Sequence, residues 1–386
     1  MLRYLTAGES HGKAVIALVD GFPAGVPLDC ARIDQELRRR QGGYGRGGRQ
    51  RIESDHVEIL SGVRQGVTLG SPITLVVHNN DAKIDRMPEI DRPRPGHADL
   101  AGAIKHLGTI RAVLERASAR ETTARVAAGA LGRQLLEPLG ITVFGYVVEV
   151  GPVRVDPLPG TPDEQRARRD QSELYTLDPS RDAELKALVD RARQDGDTLG
   201  GIVEVRVDGL PFGLGSHTQW DKRLDGRLAQ AVMSIQAIKG VEIGLGFEMA
   251  RRRGSEVHDP IAYNSRLANT PCLGFTRATN NAGGLEGGIT NAQPLVLRAA
   301  KKPISTLAHP LESVNLETLE SESAAYERSD VCAVAAASCI VENVVAFEIA
   351  AAVVEKFGGD SFEEIQARWR RFHELAAGHF GQGRGD

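Results

Sequence analysis

The chain has 386 residues, 41% hydrophobic and 25% charged, a make-up that excludes a disordered protein and suffices for one large core or two coupled ones. With 47 basic against 51 acidic residues the formal net charge is −4, so general attraction to nucleic acid or to an anionic membrane is not expected and any dense positive patch must serve a local purpose. The opening MLRYLTAGESHGK has no apolar core of signal-peptide length, no run is read as a membrane span, and a cytoplasmic location is expected. Cys30, Cys272, Cys332 and Cys339 show no C-x-x-C spacing and are expected as buried, reduced thiols.

In chain order, GESHG at 8–12 comes first. It satisfies G-x-S-x-G, the strand-turn-helix elbow of hydrolases with Ser10 as nucleophile, but little chain precedes it and the strand-like KAVIALVD follows, so a hydrolase is set aside. His11, between Ser10 and Gly12, is a candidate general acid because imidazole titrates near neutrality; an idle loop histidine is the plainer alternative. A strand at 13–20 leads to a helix at 30–41, capped by Asp29, facing inward through Ile33 and Leu37 and stopped by Gly42.

LRRRQGGYGRGGRQRIESD, residues 37–55, then concentrates six arginines with no acid between Glu36 and Glu53. Arg38 and Arg39 read as a solvated end matched to the helix dipole. Arg40, Arg46 and Arg49 lie among glycines that let backbone approach a ligand, and their forked guanidiniums suit phosphate and carboxylate oxygens. The rival reading is an arginine-rich RNA-binding module; against it, the segment occurs once, between a helix and a strand.

Strands at 57–63 and 71–78 follow, and RPRPGHADLAG at 92–102 sets Arg92 and Arg94 between prolines that hold the chain extended before His97. Residues 99–137 read as one long Ala-rich helical stretch, open to interruption. Within it ERASARET puts Arg116 and Arg120 a turn apart with Ser118 between, for binding or for pairing with Glu115 and Glu121. After a strand at 141–150, the charged stretch 157–199 reads as a surface excursion. Strands at 201–208, 241–249 and 293–299 and the apolar face Leu224, Leu228, Val232, Ile235 and Ile238 complete a second half. NNAGGLEGGITNAQP at 280–294 is either paired tight turns or a ligand loop. KKPIST at 301–306 brings two lysines and two hydroxyls together, and Asp330 in ERSD stands at the mouth of an apolar helix, 331–357, as its N-cap or as a base. An amphipathic helix at 361–376 ends the reading. The ten histidines show no metal-ligand spacing, and there is no Walker loop and no dinucleotide fingerprint between a strand and a helix.

The strands and their short turns favour antiparallel pairing over a Rossmann array. Two ordered matches, Val19-Asp20-Gly21-x-Pro23-x-Gly25 with Val207-Asp208-Gly209-x-Pro211-x-Gly213, and Gly66, Thr68 and Pro72 with Gly288, Thr290 and Pro294, predict an internal duplication. One domain over 1–386 is expected, with pseudo-twofold halves at roughly 1–155 and 200–386. At least four separated loops pair cations with glycine and a titratable group, which predicts a pocket for a polyanionic ligand.

Taken together, RYLTAGESHG, RRRQGGYGRGGR, RPGHAD, SARET, VEIGLGFE, TNNAGGLEGGITNAQP, KPIST and ERSD resemble the chorismate synthase family over essentially the whole chain. The resemblance implies an α+β fold, a β-α-β sandwich usually assembled as a homotetramer. It also implies anti 1,4-elimination of phosphate from 5-enolpyruvylshikimate 3-phosphate with reduced FMN as cofactor. By the same resemblance His11 protonates the departing phosphate, His97 keeps reduced flavin in its working protonation state, and Asp330 assists removal of the C6 proton. Arg40, Arg46, Arg49, Arg94 and Arg120 would hold the substrate, and Ser118, Ala119, Arg120, Gln236, Ala237, Gly287, Lys302, Pro303, Ile304, Ser305, Thr306 and Arg328 the flavin. Some members reduce their flavin with NADPH and others use an external reductase; the missing dinucleotide fingerprint favours the second. Ala335 stands where the family often has proline, and His106 receives no role.

Overall fold

The computed structural model describes residues 1–48, 54–327 and 329–381. Two antiparallel sheets enclose a layer of helices. The first sheet runs Arg3–Gly8, Ala14–Asp20, Ile73–His78, Val57–Ser61 across its width. The second runs Ile238–Ile243, Leu295–Lys301, Gly201–Asp208, Thr142–Val150, Val153–Arg154. The helices are α1 (Cys30–Gln41), α2 (Asp99–His106), α3 (Ile110–Ala117), α4 (Thr122–Leu136), α5 (Pro162–Gln171), α6 (Asp182–Gln194), α7 (Leu224–Met233), the single turn α8 (Gly254–Val257), α9 (Val334–Phe357) and α10 (Phe362–Ala376). The fold is thus the α+β sandwich expected, with antiparallel pairing throughout both large sheets.

Alternation explains the layers. In the first sheet Val15, Ala17, Val19, Ile73, Leu75 and Val77 are buried toward α4 and α1, and in the second Val203, Val205, Val207, Leu295, Leu297 and Ala299 join the same core with α9. Helices α4 and α9 pack directly on one another. Gly129 permits this, since a Cβ there would lie 2.1 Å from the carbonyl oxygen of Asn343. Against the sequence reading, one helix, α9, is long and apolar enough to cross a membrane by length and composition; 89% of its apolar window is buried inside the fold, so its hydrophobicity is spent on the core.

The two matched segments share one hydrogen-bond pattern. The Thr68 hydroxyl donates to the Pro23 carbonyl at 2.6 Å and accepts from Val26 N–H at 2.9 Å. The Thr290 hydroxyl donates to Pro211 at 2.6 Å and accepts from Leu214 N–H at 2.8 Å. The matched motifs therefore mark the same turn built twice.

Several boundaries differ from the sequence reading. A strand, Arg3–Gly8, does precede GESHG, so only the strand that follows it, not the lack of one before, separates this loop from a hydrolase elbow. The stretch 99–137 breaks into three helices, because Leu107 is left-handed and Ser118 extended. The strand placed at 241–249 occupies Ile238–Ile243 and ends where Gly244 and Gly246 take positive φ. Residues 157–199 form α5 and α6 and send Leu174, Leu185 and Val189 into the main core. Of the cysteines, Cys332 and Cys339 are buried, but Cys30 is exposed and Cys272 half-buried.

Candidate functional site

The end of α1 shows how one helix feeds the site. Arg38 is exposed, as expected of a solvated tip, but Arg39 turns inward to Glu36 and Arg40 is buried. Arg40 donates through Nε to the Thr122 hydroxyl and through Nη2 to the Ala119 carbonyl, both at 3.0 Å, and lies 3.6 Å from the Asp55 carboxylate. Burial, with Arg120 and Arg46 nearby, lowers its pKa to about 10 despite Asp55. Arg120, in the turn Ala119–Glu121, grips the same Asp55 at 2.7 and 2.9 Å and the Asn79 side-chain oxygen at 2.8 Å. Asp55 is fully buried and is the anchor the sequence reading missed; its one signal was an acid closing the arginine loop.

Arg46 pairs with Asp330 at 3.2 Å, and the other Asp330 oxygen accepts from Gly47 N–H at 2.6 Å. Asp330 is not the cap of α9, whose N-cap position is Ala333 with no side-chain bond. Behind it lies Lys301, missed as a site residue, which is buried and donates to the Lys302 carbonyl at 3.2 Å; burial lowers its pKa to about 8. Lys302 reaches the Ser305 hydroxyl at 2.9 Å, and Ser305 donates to the Gly96 carbonyl at 3.2 Å, joining KKPIST to RPGHAD.

There Arg94 holds the fully buried Asp99 at 2.8 Å and the Thr306 hydroxyl at 3.0 Å, while His97 Nδ1 meets Asp99 at 2.5 Å. Burial pushes the Asp99 carboxyl up, but its bonds from His97 and Arg94 outweigh that and hold it well below the usual range. The Ile304 carbonyl accepts from Thr198 at 2.7 Å, next to Pro303. At the other end Ser118 donates to the Ser10 hydroxyl at 3.1 Å, beside His11. His11 rests on Glu115, and Asn79 donates to the Gly12 carbonyl at 2.8 Å, which ties this loop to Arg120.

Gln236 donates to Glu121 at 3.1 Å, and Ala237, at φ 68, offers its carbonyl to Lys302 N–H at 2.9 Å, so both join the belt. Gly287 does not. It turns a hairpin whose next residue, Gly288, accepts from Leu224 at the start of α7, whereas Gln236 follows the helix's far end, roughly 15 Å away. The loop 280–294 forms tight turns, closed by Asp259 accepting from Asn281 and Ala282 N–H. Arg116 does not pair with Glu115 or Glu121 but donates to the Gly8 and Thr6 carbonyls. Arg49 and Arg328 lie outside the described residues.

Among the described residues of this belt, and apart from the pairs Arg125–Glu121 and Arg111–Glu115 beside it, Arg40, Arg46, Arg94, Arg120, Lys301 and Lys302 stand against Asp55, Asp99 and Asp330, six cations to three carboxylates. A surplus of cations, four of the six buried, beside two histidine loops is the arrangement that suits an enzyme site for a small polyanion.

The comparisons make the class specific. Residues 2–354 match the family model described as chorismate synthase. The chorismate synthase of Geobacter metallireducens is 55% identical over 96% of this chain and 98% of its own, that of Desulforudis audaxviator 55% over 97% and 98%, and that of Symbiobacterium thermophilum 54% over 97% and 100%. A chorismate synthase crystal structure superposes with a TM-score of 0.80 at 43% identity, covering 98% of each chain. The chain belongs to the chorismate synthase family, lyases that convert 5-enolpyruvylshikimate 3-phosphate to chorismate and phosphate in aromatic amino acid biosynthesis.

Proposed function

We propose that this belt carries out the elimination with His11, His97 and Asp330 as its proton-handling groups and with reduced FMN as cofactor. In the reaction the C–O bond to phosphate and the C6–H bond break while a ring double bond forms, so no electrons are gained or lost overall. The observation that supports the assignment is the surplus of cations between the two histidine loops, because a substrate with two carboxylates and a phosphate would otherwise be repelled from a water-poor site. Arg40, Arg46, Arg94 and Arg120 hold the substrate, with Arg49 assigned to the same task. His11 delivers a proton to the departing phosphate. Asp330, aimed by Gly47 N–H and Arg46, stands at the deprotonation of C6. His97, fixed by Asp99, maintains protonation next to the cofactor.

The residues present suit a flavin phosphate and its polar ring edge: the buried Gln236 Oε1 and Arg46 Nε have no partner among the described residues, and the Lys302–Thr306 loop is tied to Ala237, next to Gln236. Ser118, Ala119, Arg120, Gln236, Ala237, Lys302, Pro303, Ile304, Ser305 and Thr306 would line it, with Arg328. Held by these residues, reduced flavin would supply electron density to the allylic system. A homotetramer is part of this reading, supported by the exposed apolar face of the first sheet at Leu5, Leu18 and Leu60. Gly287, set apart in one chain, would then meet a flavin only across subunits. The reading also includes a cytoplasmic location and an external flavin reductase.

The test is anaerobic turnover with chemically reduced FMN, followed by phosphate release, for the wild type and His11→Ala. A folded His11→Ala protein should lose about 10²–10⁴-fold in rate; near-normal turnover would remove His11 from this role. Repeating the assay with NADPH and oxidised FMN should give no product, and turnover there would replace the external reductase with an intrinsic one.

A further inference from the structure

The His11 ring is hydrogen-bonded to one residue from another part of the chain, while its backbone carbonyl accepts from Lys83 and Ile84 N–H at 2.9 and 3.0 Å. Its ring Nδ1 lies 2.9 and 3.1 Å from the two carboxylate oxygens of Glu115, and its backbone N–H donates to the same carboxylate at 2.8 Å. The N–H of Ser10, one residue earlier, donates to the Glu115 carbonyl at 2.9 Å. The Glu115 side chain is 2% exposed and sits on α3, which is tied to the same loop by Arg116, donating to the Gly8 carbonyl, and by its C-cap Ser118, donating to Ser10. Arg111, one turn earlier, lies 3.7 Å from Glu115 and donates to Glu327 at 2.7 Å and to the Pro88 carbonyl at 2.8 Å. The groups facing the ring are thus Glu115 with Arg111 behind it on one side, and on the other Asp81, 3.9 Å from Nε2 and itself held by Lys83 at 2.9 Å.

We propose that Glu115 is the positioning residue of His11, accepting the Nδ1 proton so that Nε2 is the nitrogen that exchanges protons in the reaction. This rests on His11 being the acid proposed above. A carboxylate on both the ring and the backbone N–H fixes ring orientation and tautomer together, because the opposite tautomer would set the Nδ1 lone pair against the Glu115 oxygens. When the proton leaves Nε2 its lone pair stays on that nitrogen, Nδ1 keeps its hydrogen, and Glu115 remains ionised. Burial alone would raise the Glu115 carboxyl, but the bonds from the His11 ring and N–H, together with Arg111, bring it below its ordinary range, consistent with a carboxylate that stays charged. Through Arg111 and Glu327 the same support reaches the segment that carries Asp330, so the two ends of the elimination share one brace.

The experiment compares Glu115→Gln and Glu115→Asp with the wild type in kcat and KM, and reads the His11 ring nitrogens by NMR of 15N-histidine-labelled protein, assigned through His11→Asn. Glu115→Gln should lower kcat about 10²-fold with KM little changed, Glu115→Asp should recover much of it, and neutral wild-type His11 should carry its hydrogen on Nδ1. Wild-type kcat in folded Glu115→Gln, or a wild-type His11 with its hydrogen on Nε2, overturns the inference; the second measurement needs no variant to fold. If His11→Asn itself turns over normally, the proposed role of His11 fails instead, while the tautomer still reports on Glu115.

Discussion

Arg39 and Arg40 are neighbours on α1, yet they serve two ionic clusters of different character. Arg39 joins Arg133 and Arg169 around Glu36, Glu342 and Asp170, three guanidiniums to three carboxylates, and Glu342 also accepts from Gly145 N–H at 2.9 Å. Arg40 joins the belt in which six cations meet three carboxylates. The first cluster is matched in charge, although the Arg39 Nε has no partner among the described residues. The second has more cations than carboxylates in a partly dry place, where an isolated ion is costly, a condition that an anionic ligand would relieve. Burial of arginine alone does not distinguish structure from function; the balance of partners does.

The largest expected effect breaks the balanced cluster. Glu342→Ala leaves three guanidiniums around Glu36 and should cost about 3–5 kcal/mol in chemical denaturation, while kcat of the protein that stays folded is unchanged. The acid limb of wild-type stability supplies a second reading of the same cluster. Burial acts to raise the Glu36 carboxyl, but Arg39 and Arg133 prevail and lower its pKa to about 2, below its unfolded value. Its contribution is therefore whole above pH ~4.3 and drains away as pH falls toward 2. A Glu342→Ala protein with wild-type stability would show that the balanced cluster contributes little.

A smaller effect, confined to catalysis, is expected in the belt. Gly47 passes close under the ERSD segment, and a Cβ there would lie 2.8 Å from the Ser329 carbonyl oxygen and 3.2 Å from the Asp330 carboxylate. Gly47→Ala should displace Asp330 and lower turnover about 10²-fold, since misplacing a reacting group by about 1 Å has that consequence. The melting temperature should hardly move. Unchanged turnover would detach the aim of Asp330 from the reaction.

Much of this contrast was legible in the sequence, and the remainder was hidden for a physical reason. Local pattern located α1 to its residue limits and the buried α9, because each depends on local burial pattern and end signals. The duplicated motifs announced a turn whose hydrogen bonds repeat. Asp55, Asp99 and Glu115 were not picked out, although they hold Arg120, Arg94 and His11. Glu115 and His11 lie 104 positions apart and Arg120 and Asp55 lie 65 apart, so no local spacing signals either pairing. The arginines were readable as cations near glycine; which of them would find a matched carboxylate is a property of the packed state alone.

The smallest expected effect tests whether the surplus charge has a cost. Lys301 is buried among Arg46, Lys302 and Cys332, and burial lowers its pKa to about 8 although Asp330 opposes the shift. A lysine pKa lowered in the folded state means that the fold disfavours the ammonium: the penalty is full below pH 8 and fades as pH rises toward the ordinary value of 10.5. Lys301→Met should therefore be more stable than the wild type at pH 7, with the gain vanishing near pH ~10.4. It should also raise KM for the polyanionic substrate a few-fold, because one of the six cations is gone, with kcat less affected. Both outcomes together would mean that this site maintains its excess of charge against the stability of the fold, as sites built for binding do. A variant more stable at pH 7 but with unchanged KM would instead place Lys301 outside the electrostatics of the substrate and shrink the surplus that separates this cluster from the balanced one.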